Sequence, residues 1–178
     1  MHHSLSPRVR ALLFIVTSIT VCTAYYLYDQ QKALSPQPQP IKFSQWQLTN
    51  EVGKSTPLQN WQGNTLLIHF WATWCPPCKR EIPLLNAAQK HYGNERFTVI
   101  GIAIDDVEKV QQYRQQVPIN YPSFIGQPGI ATLAAQLGNT TGGLPYTAIV
   151  SPSGDVLFQH PGELTQKILE QALINALN

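Results

Sequence analysis

Two cysteines separated by two residues, in Trp74-Cys75-Pro76-Pro77-Cys78, are the side chains of this sequence best suited to chemistry. They follow residues 65–71, a short apolar run without glycine or proline that reads as a strand. Pro76 suits the first turn of a helix, where a missing N–H costs nothing. The pattern predicts a strand-to-helix junction with Cys75 at the helix N-terminus, where the dipole and free N–H groups favour a thiolate. Cys78, one turn further on, is close enough to close a disulfide on it. An exposed, acidified Cys75 attacks a substrate disulfide, and a sheltered Cys78 resolves the mixed disulfide. The competing reading is half of a zinc site. Structural zinc wants four ligands, and the only other cysteine is Cys22, with no His-x3–5-His pair to help.

The frame around this pair is modest. The chain has 178 residues, and setting aside about forty at the N-terminus leaves enough to bury a core. Twelve Lys and Arg against ten Asp and Glu give a net charge of +2, without a basic run. That balance argues against nucleic acid as a partner. Three cysteines form no disulfide framework, so a redox pair plus one odd thiol is the economical count.

Residues 1–10 carry Arg8 and Arg10 ahead of an uncharged stretch, residues 11–28. Its length just reaches a bilayer-spanning helix, and the basic flank predicts a cytoplasmic N-terminus with an exported C-terminal domain. Tyr25, Tyr26 and Tyr28 cluster at the far end, as interfacial aromatics do. A cleaved signal peptide is the alternative. Cys22-Thr23-Ala24 makes a poor cleavage site, and Val21 stands where a lipoprotein site wants a small residue. Both readings export the domain, and Cys22 reads as an apolar filler. Residues 29–42 read as a linker, because the alternating Pro36, Pro38 and Pro40 favour an extended spacer.

In the domain, residues 43–178, Phe43 to Leu48 alternate apolar and polar and predict a half-buried strand. After the cysteines, Ile82, Leu85, Ala88 and Tyr92 recur at helical spacing. Residues 97–104 form a β-rich run for a strand buried on both faces. Asp105 and Asp106 read as the cap of a helix, with Glu108 completing a capping box. A short helix over 130–137, strands over 146–150 and 156–159, and a closing helix with Leu164, Ile168, Leu169, Ala172, Leu173 and Leu177 on one stripe follow. The order is that of an α/β domain with a mixed sheet and helices on both faces.

The segment from Phe70 to Lys79 resembles the active-site segment of membrane-anchored thioredoxin-like proteins, the TlpA/ResA-like family of thiol–disulfide oxidoreductases. The resemblance runs from about Phe43 to the C-terminus. It implies a thioredoxin-like fold with added N-terminal strands, and it puts Pro83 at the helix-kinking position. Gly143-Leu144-Pro145-Tyr146-Thr147 looks like the family's cis-proline loop, which implies that Pro145 faces the cysteines and that Leu144 helps to choose partners. An ordinary trans proline is the plainer reading of the same loop. Glu81 matches an acidic residue associated with tuning the thiols, against a solvated helix charge as the alternative. His69 stands where thioredoxins carry a buried acid. Its neutral imidazole would accept the Cys78 proton, or it is a core histidine bonded to backbone.

Pro76 and Pro77 remove two N–H groups that would otherwise stabilise the Cys75 sulfur, which tilts the pair toward a reductase. Trp74 is expected over the disulfide, shaping the docking surface, and Trp71 in the core. The expected function is reduction of disulfides in exported proteins, such as apocytochrome c or another thiol enzyme. The domain would face the bacterial periplasm from the inner membrane, take electrons from a membrane thiol carrier, and need no cofactor. A Cu(I)-binding module using Cys75, Cys78 and a histidine such as His160 is the alternative, as is an oxidase or isomerase of the same fold. A peroxidase lacks its Thr-x-x-Cys loop here.

Overall fold

The computed structural model describes residues 7–34, 40–93 and 96–178. The chain divides into two units, Met1–Gln37 and Pro38–Asn178.

The first unit contains one helix, α1 (Pro7–Leu34). Its hydroxyls are turned back onto helix carbonyls: Thr17 and Ser18 bond Phe14 O, Thr20 bonds Thr17 O, and Thr23 bonds Ile19 O. That return bonding satisfies the hydroxyls within the uncharged stretch of the helix, residues 11–28. Among the described residues, no helix is long and apolar enough to cross a membrane. The helix also runs past residue 28, taking the first six positions expected of the linker, because nothing before Pro36 breaks it. The linker's residues 35–39 lie outside the described residues.

The second unit is built on a seven-stranded sheet: β1 (Gln47–Thr49), β2 (Ser55–Pro57), β3 (Thr65–Trp71), β4 (Phe97–Ala103), β5 (Ser123–Ile125), β6 (Tyr146–Val150) and β7 (Val156–Pro161). Its order is β2-β1-β5-β4-β3-β6-β7. β3, β4 and β5 are parallel, whereas β6 runs antiparallel to β3. The helices are α2 (Pro76–Tyr92), α3 (Val107–Gln116), α4 (Ile130–Gln136) and α5 (Gln166–Leu177).

β3 and β4 are buried along their whole length, as their continuous apolar runs require. Alternation then splits their side chains between two cores. Leu67 and Trp71 join Val99, Ala103, both cysteines and residues of α2, α3 and α5. Leu66, Ile68 and Phe70 join Ile100, Ile102 and residues of α4 on the opposite face.

Three local expectations change. Phe43–Gln45 is a turn of 3-10 helix, and the strand begins only at Gln47. Phe43 and Trp46, three apart, both pack on the second core, which a 3-10 turn satisfies as well as a strand does. β2 and β5, three residues each, were absent from the expected order. The α3 capping box is also absent, since Asp106 caps without a side-chain hydrogen bond.

The domain's first residues are pinned to the β6–β7 turn. Ile41 N–H donates to Gly154 O at 2.8 Å. Gly154 has φ +98°, and a Cβ there would meet Ile41 O at 2.3 Å, so the turn admits only glycine.

Candidate active site

β3 delivers the cysteine pair. The chain leaves the sheet at Trp71, and Cys75 becomes the N-cap of α2 with extended backbone (φ −97°, ψ 102°). Pro76 and Pro77 occupy the first helical positions, so the first N–H to reach the Cys75 sulfur is that of Cys78, at 3.4 Å. Cys75 and Cys78 form a disulfide with S–S 2.01 Å. Exposure is unequal in the expected sense but smaller than expected: Cys75 is 4% exposed and Cys78 is fully buried.

The surroundings of the disulfide are apolar and open on one side. Trp74 is 63% exposed, Pro76 is exposed, and Pro77 and Leu144 are half-buried. Leu144 packs against the core that contains both cysteines. The Leu144–Pro145 bond is cis, as the resemblance implied, and Pro145 is buried. Because Tyr146 pairs with Phe70, this loop stands at the same end of the sheet as the cysteines. Pro83 lies inside α2, and Trp71 is fully buried as expected.

Sequence reasoning missed Asp105. Its Oδ2 accepts from Thr73 N–H at 2.8 Å and from Thr73 Oγ1 at 2.6 Å, while Oδ1 accepts from Asp106 N–H at 2.9 Å. Burial raises its pKa, but those hydrogen bonds and Lys109 outweigh burial and hold the carboxyl below its ordinary value. Asp105 thus clamps the loop that carries Trp74 and Cys75. The signal was in the register: Trp71 pairs with Ala103, so the residues two further on face each other.

Glu81 is no solvated surface charge; it is 1% exposed. Its Oε1 accepts from Leu164 N–H at 2.5 Å, and its Oε2 lies 3.5 Å from His69 Nε2. His69 is fully buried and sits on the same face of β3 as Leu67 and Trp71, the face that packs on α2. Its Nδ1 lies 3.2 Å from Thr147 Oγ1. The histidine is therefore bonded to one side chain, Thr147, unlike the backbone-bonded core residue considered as its alternative. Burial pushes the His69 pKa down to about 3, so the imidazole is neutral.

Glu81 moves the other way. Burial pushes its pKa up to about 7, against the lowering by the Leu164 N–H, with Glu163 adding to the rise and Arg80 opposing it. So low a pKa makes His69 a poor acceptor for the Cys78 proton, the role expected of it, and Glu81 is the neighbouring group raised toward neutral pH. Below that pH the protonated Glu81 faces a neutral His69 and the pair is uncharged, which suits a buried position; above it Glu81 is a carboxylate able to take a proton. The two residues were considered separately in the sequence, and the fold brings them together.

His160, the imidazole considered for Cu(I), lies on β7 with Nε2 3.1 Å from Glu163 O and its ring stacked on Phe158. Among the described residues, no group of three metal-ligating side chains occurs.

Residues 41–159 match the model of the AhpC/TSA family. The chain is 28% identical over 167 residues to the thioredoxin-like protein YneN of Bacillus subtilis (strain 168), covering 91% of this chain and 93% of that one. It is 26% identical over 165 residues to the thiol-disulfide oxidoreductase ResA of Oceanobacillus iheyensis, covering 92% and 84%. Among solved structures it resembles the thiol:disulfide interchange protein of Chlorobium tepidum TLS, a thioredoxin family protein, with 27% identity and a TM-score of 0.66, over 81% of this chain and 98% of that one.

Proposed function

The chain belongs to the AhpC/TSA family and is a TlpA/ResA-like thiol–disulfide oxidoreductase; on that premise we propose that it reduces disulfides in exported proteins while tethered to the bacterial inner membrane through residues 11–28. The observation that carries the direction of electron flow is the poverty of donors at Cys75. A helix N-terminus normally offers several free N–H groups. Here two prolines withhold theirs, and one N–H at 3.4 Å remains. A thiolate with fewer donors is less stabilised, so the reduced form gains less and the disulfide is the weaker oxidant.

The cycle runs as two exchanges. The Cys75 thiolate attacks one sulfur of the partner's disulfide, expelling the other as a thiolate that takes a proton. Cys78 then gives its proton to Glu81, held against His69, and its thiolate attacks the Cys75 sulfur. That closes the Cys75–Cys78 disulfide and releases the partner's second thiol. Two electrons have passed to the partner, and a membrane thiol carrier returns them by the reverse exchange. Trp74, Pro76, Pro77 and Leu144 form the apolar rim on which the partner's chain rests. No cofactor takes part.

The tether is supported by the uncharged stretch behind Arg8 and Arg10 and by the return-bonded hydroxyls of α1. Equilibration against a glutathione or dithiothreitol buffer tests the direction. The expected potential lies nearer to about −270 mV than to about −120 mV, and a value near the latter would sink the reductase reading. A phosphatase reporter fused after residue 42 should be active outside the cytoplasm; an inactive fusion would refute export.

A further inference from the structure

We propose that His160 is a positioning residue of the redox site: its imidazole holds the carbonyl of the Glu163–Leu164 peptide and so aims the N–H of that same peptide at Glu81. The two contacts are consecutive. His160 Nε2 lies 3.1 Å from Glu163 O, and Leu164 N–H donates to Glu81 Oε1 at 2.5 Å. A carbonyl only accepts, so Nε2 is the donor in the first of these bonds. Both bonds belong to one planar trans peptide, whose C=O and N–H point in opposite directions. A peptide held by its oxygen cannot turn its N–H away without breaking the first bond.

The fold puts His160 where this is possible. His160 lies opposite Thr147 on β6, and Thr147 lies opposite His69 on β3, so the three share one face of the sheet. Phe158, two residues back on that face, stacks on the imidazole and steadies it. Beyond β7 the chain turns at Gly162 (φ +89°), whose N–H donates to Pro145 O at 2.9 Å. Residues 162–164 therefore touch the cis-proline loop at one end and Glu81 at the other. The Glu163 side chain steadies the same peptide from outside, since its carboxylate accepts from Arg80 Nε at 2.8 Å and from Arg80 Nη2 at 2.5 Å. A pair so exposed adds little stability, but two parallel bonds fix a direction.

What is aimed matters because Glu81 is buried. Burial pushes its carboxyl up to about 7, and the Leu164 N–H opposes that rise more than any other group does. The remaining groups that face Glu81 are His69 from β3, Tyr121 from the segment before β5, Arg80 and, one turn back, Cys78 on its own helix, and Glu163 from the approach to α5. His160 acts through the peptide. Without that hold the carboxylate keeps its burial and loses its backbone donor, so it grips a proton more tightly. His160 thereby sets the pH at which Glu81 is free to take one.

The proposal rests on the reading that Glu81 takes the Cys78 proton, and two measurements keep their failures apart. In the oxidised full chain, the Glu81 carboxyl carbon, identified by its absence in E81Q, is followed by NMR as the pH is raised from acid to alkaline. H160F and H160L both remove the donor, the first keeping a ring against Phe158, and H160Q replaces it with an amide N–H. The Glu81 midpoint is expected to rise by about half a pH unit or more in H160F and H160L, and to return toward the wild-type value in H160Q. An unmoved midpoint in either donor-free variant overturns the proposal, and a lower Tm beside it makes His160 a prop of the fold alone. An equal rise in H160Q lays the effect on the ring and overturns it as well. The second measurement is release of glutathione from its mixed disulfide with Cys75, followed by rapid quench over the same pH range. The wild-type rate is expected to rise through a midpoint that E81Q abolishes. A profile without one overturns the proton-acceptor reading and takes the redox role of His160 with it, whatever the carbon titration shows.

Discussion

Replacing Glu81 by glutamine removes one titration from the core and nearly preserves its shape. In the folded protein, burial raises the carboxyl from its ordinary 4.5 to about 7. The native state thus holds this proton more tightly than the unfolded chain does. The stability it contributes is complete below pH 4.5 and is lost as the pH rises through 7. The span from 4.5 to 7 is 2.5 pH units, which at 1.36 kcal/mol per unit is about 3 kcal/mol. Glu81 is 1% exposed, so solvent does little to discount the figure. His69 has the opposite sign: its pKa falls from 6.5 to about 3, and its contribution is present above 6.5 and lost as pH falls. Both proteins contain His69, so its contribution cancels in their difference. Thermal melts of the oxidised wild type and E81Q between pH 4 and 9, with no thiol left to titrate at the site, are the assay. At pH 4 the two should agree within about 1 kcal/mol, because the amide still accepts the Leu164 N–H. By pH 8.5 the variant should melt higher by roughly 10 °C, taking roughly 4 °C per kcal/mol for a domain of this size. A constant offset at every pH would refute the buried titration, and a wild type that gains on E81Q with rising pH would reverse its sign.

Two further changes probe the rim and its support. Asp105→Ala strips three hydrogen bonds from a buried carboxylate and should lower stability by about 2 kcal/mol in denaturant melts. It should also slow Cys75 alkylation in the reduced protein several-fold relative to Thr73→Ser; an unchanged alkylation rate would confine Asp105 to stability. Trp74→Ala should leave stability within about 0.5 kcal/mol, because the side chain is 63% exposed. Its KM for a protein disulfide should rise while its rate with oxidised glutathione holds, and parallel losses on both substrates would place Trp74 in the chemistry instead of the docking.

The sequence disclosed what depends on short range. Residues 65–71 and 97–104 read as strands because they are short, apolar and β-rich, and the strands found there are Thr65–Trp71 and Phe97–Ala103, with Pro76 opening the helix that follows. What stayed hidden depends on which surfaces meet. His69 shares parity with Leu67 and Trp71, and Glu81 lies three residues beyond Cys78, so each pointed toward the same layer. Only the packing of α2 on β3 put 3.5 Å between them and took the imidazole out of the neutral titration range. β2 and β5 escaped notice for a different reason. Ser55-Thr56-Pro57 has no apolar alternation, and its proline is tolerated only because the strand is an edge. Ser123–Ile125 is too short for any period to show.

The bond between Ile41 and Gly154 sets where this domain can be held. β6 runs from Tyr146, beside Phe70, to Val150, beside Leu66, so the turn containing Gly154 lies at the end of the sheet away from the cysteines. β3 alone separates the two ends by about 20 Å at roughly 3.3 Å per residue. The domain's N-terminal attachment point at Ile41 thus lies at the pole opposite the cysteines. A resin, an electrode or a reporter coupled there is attached away from the disulfide, whereas the same coupling placed in the 143–145 loop would sit at the cysteine end of the sheet.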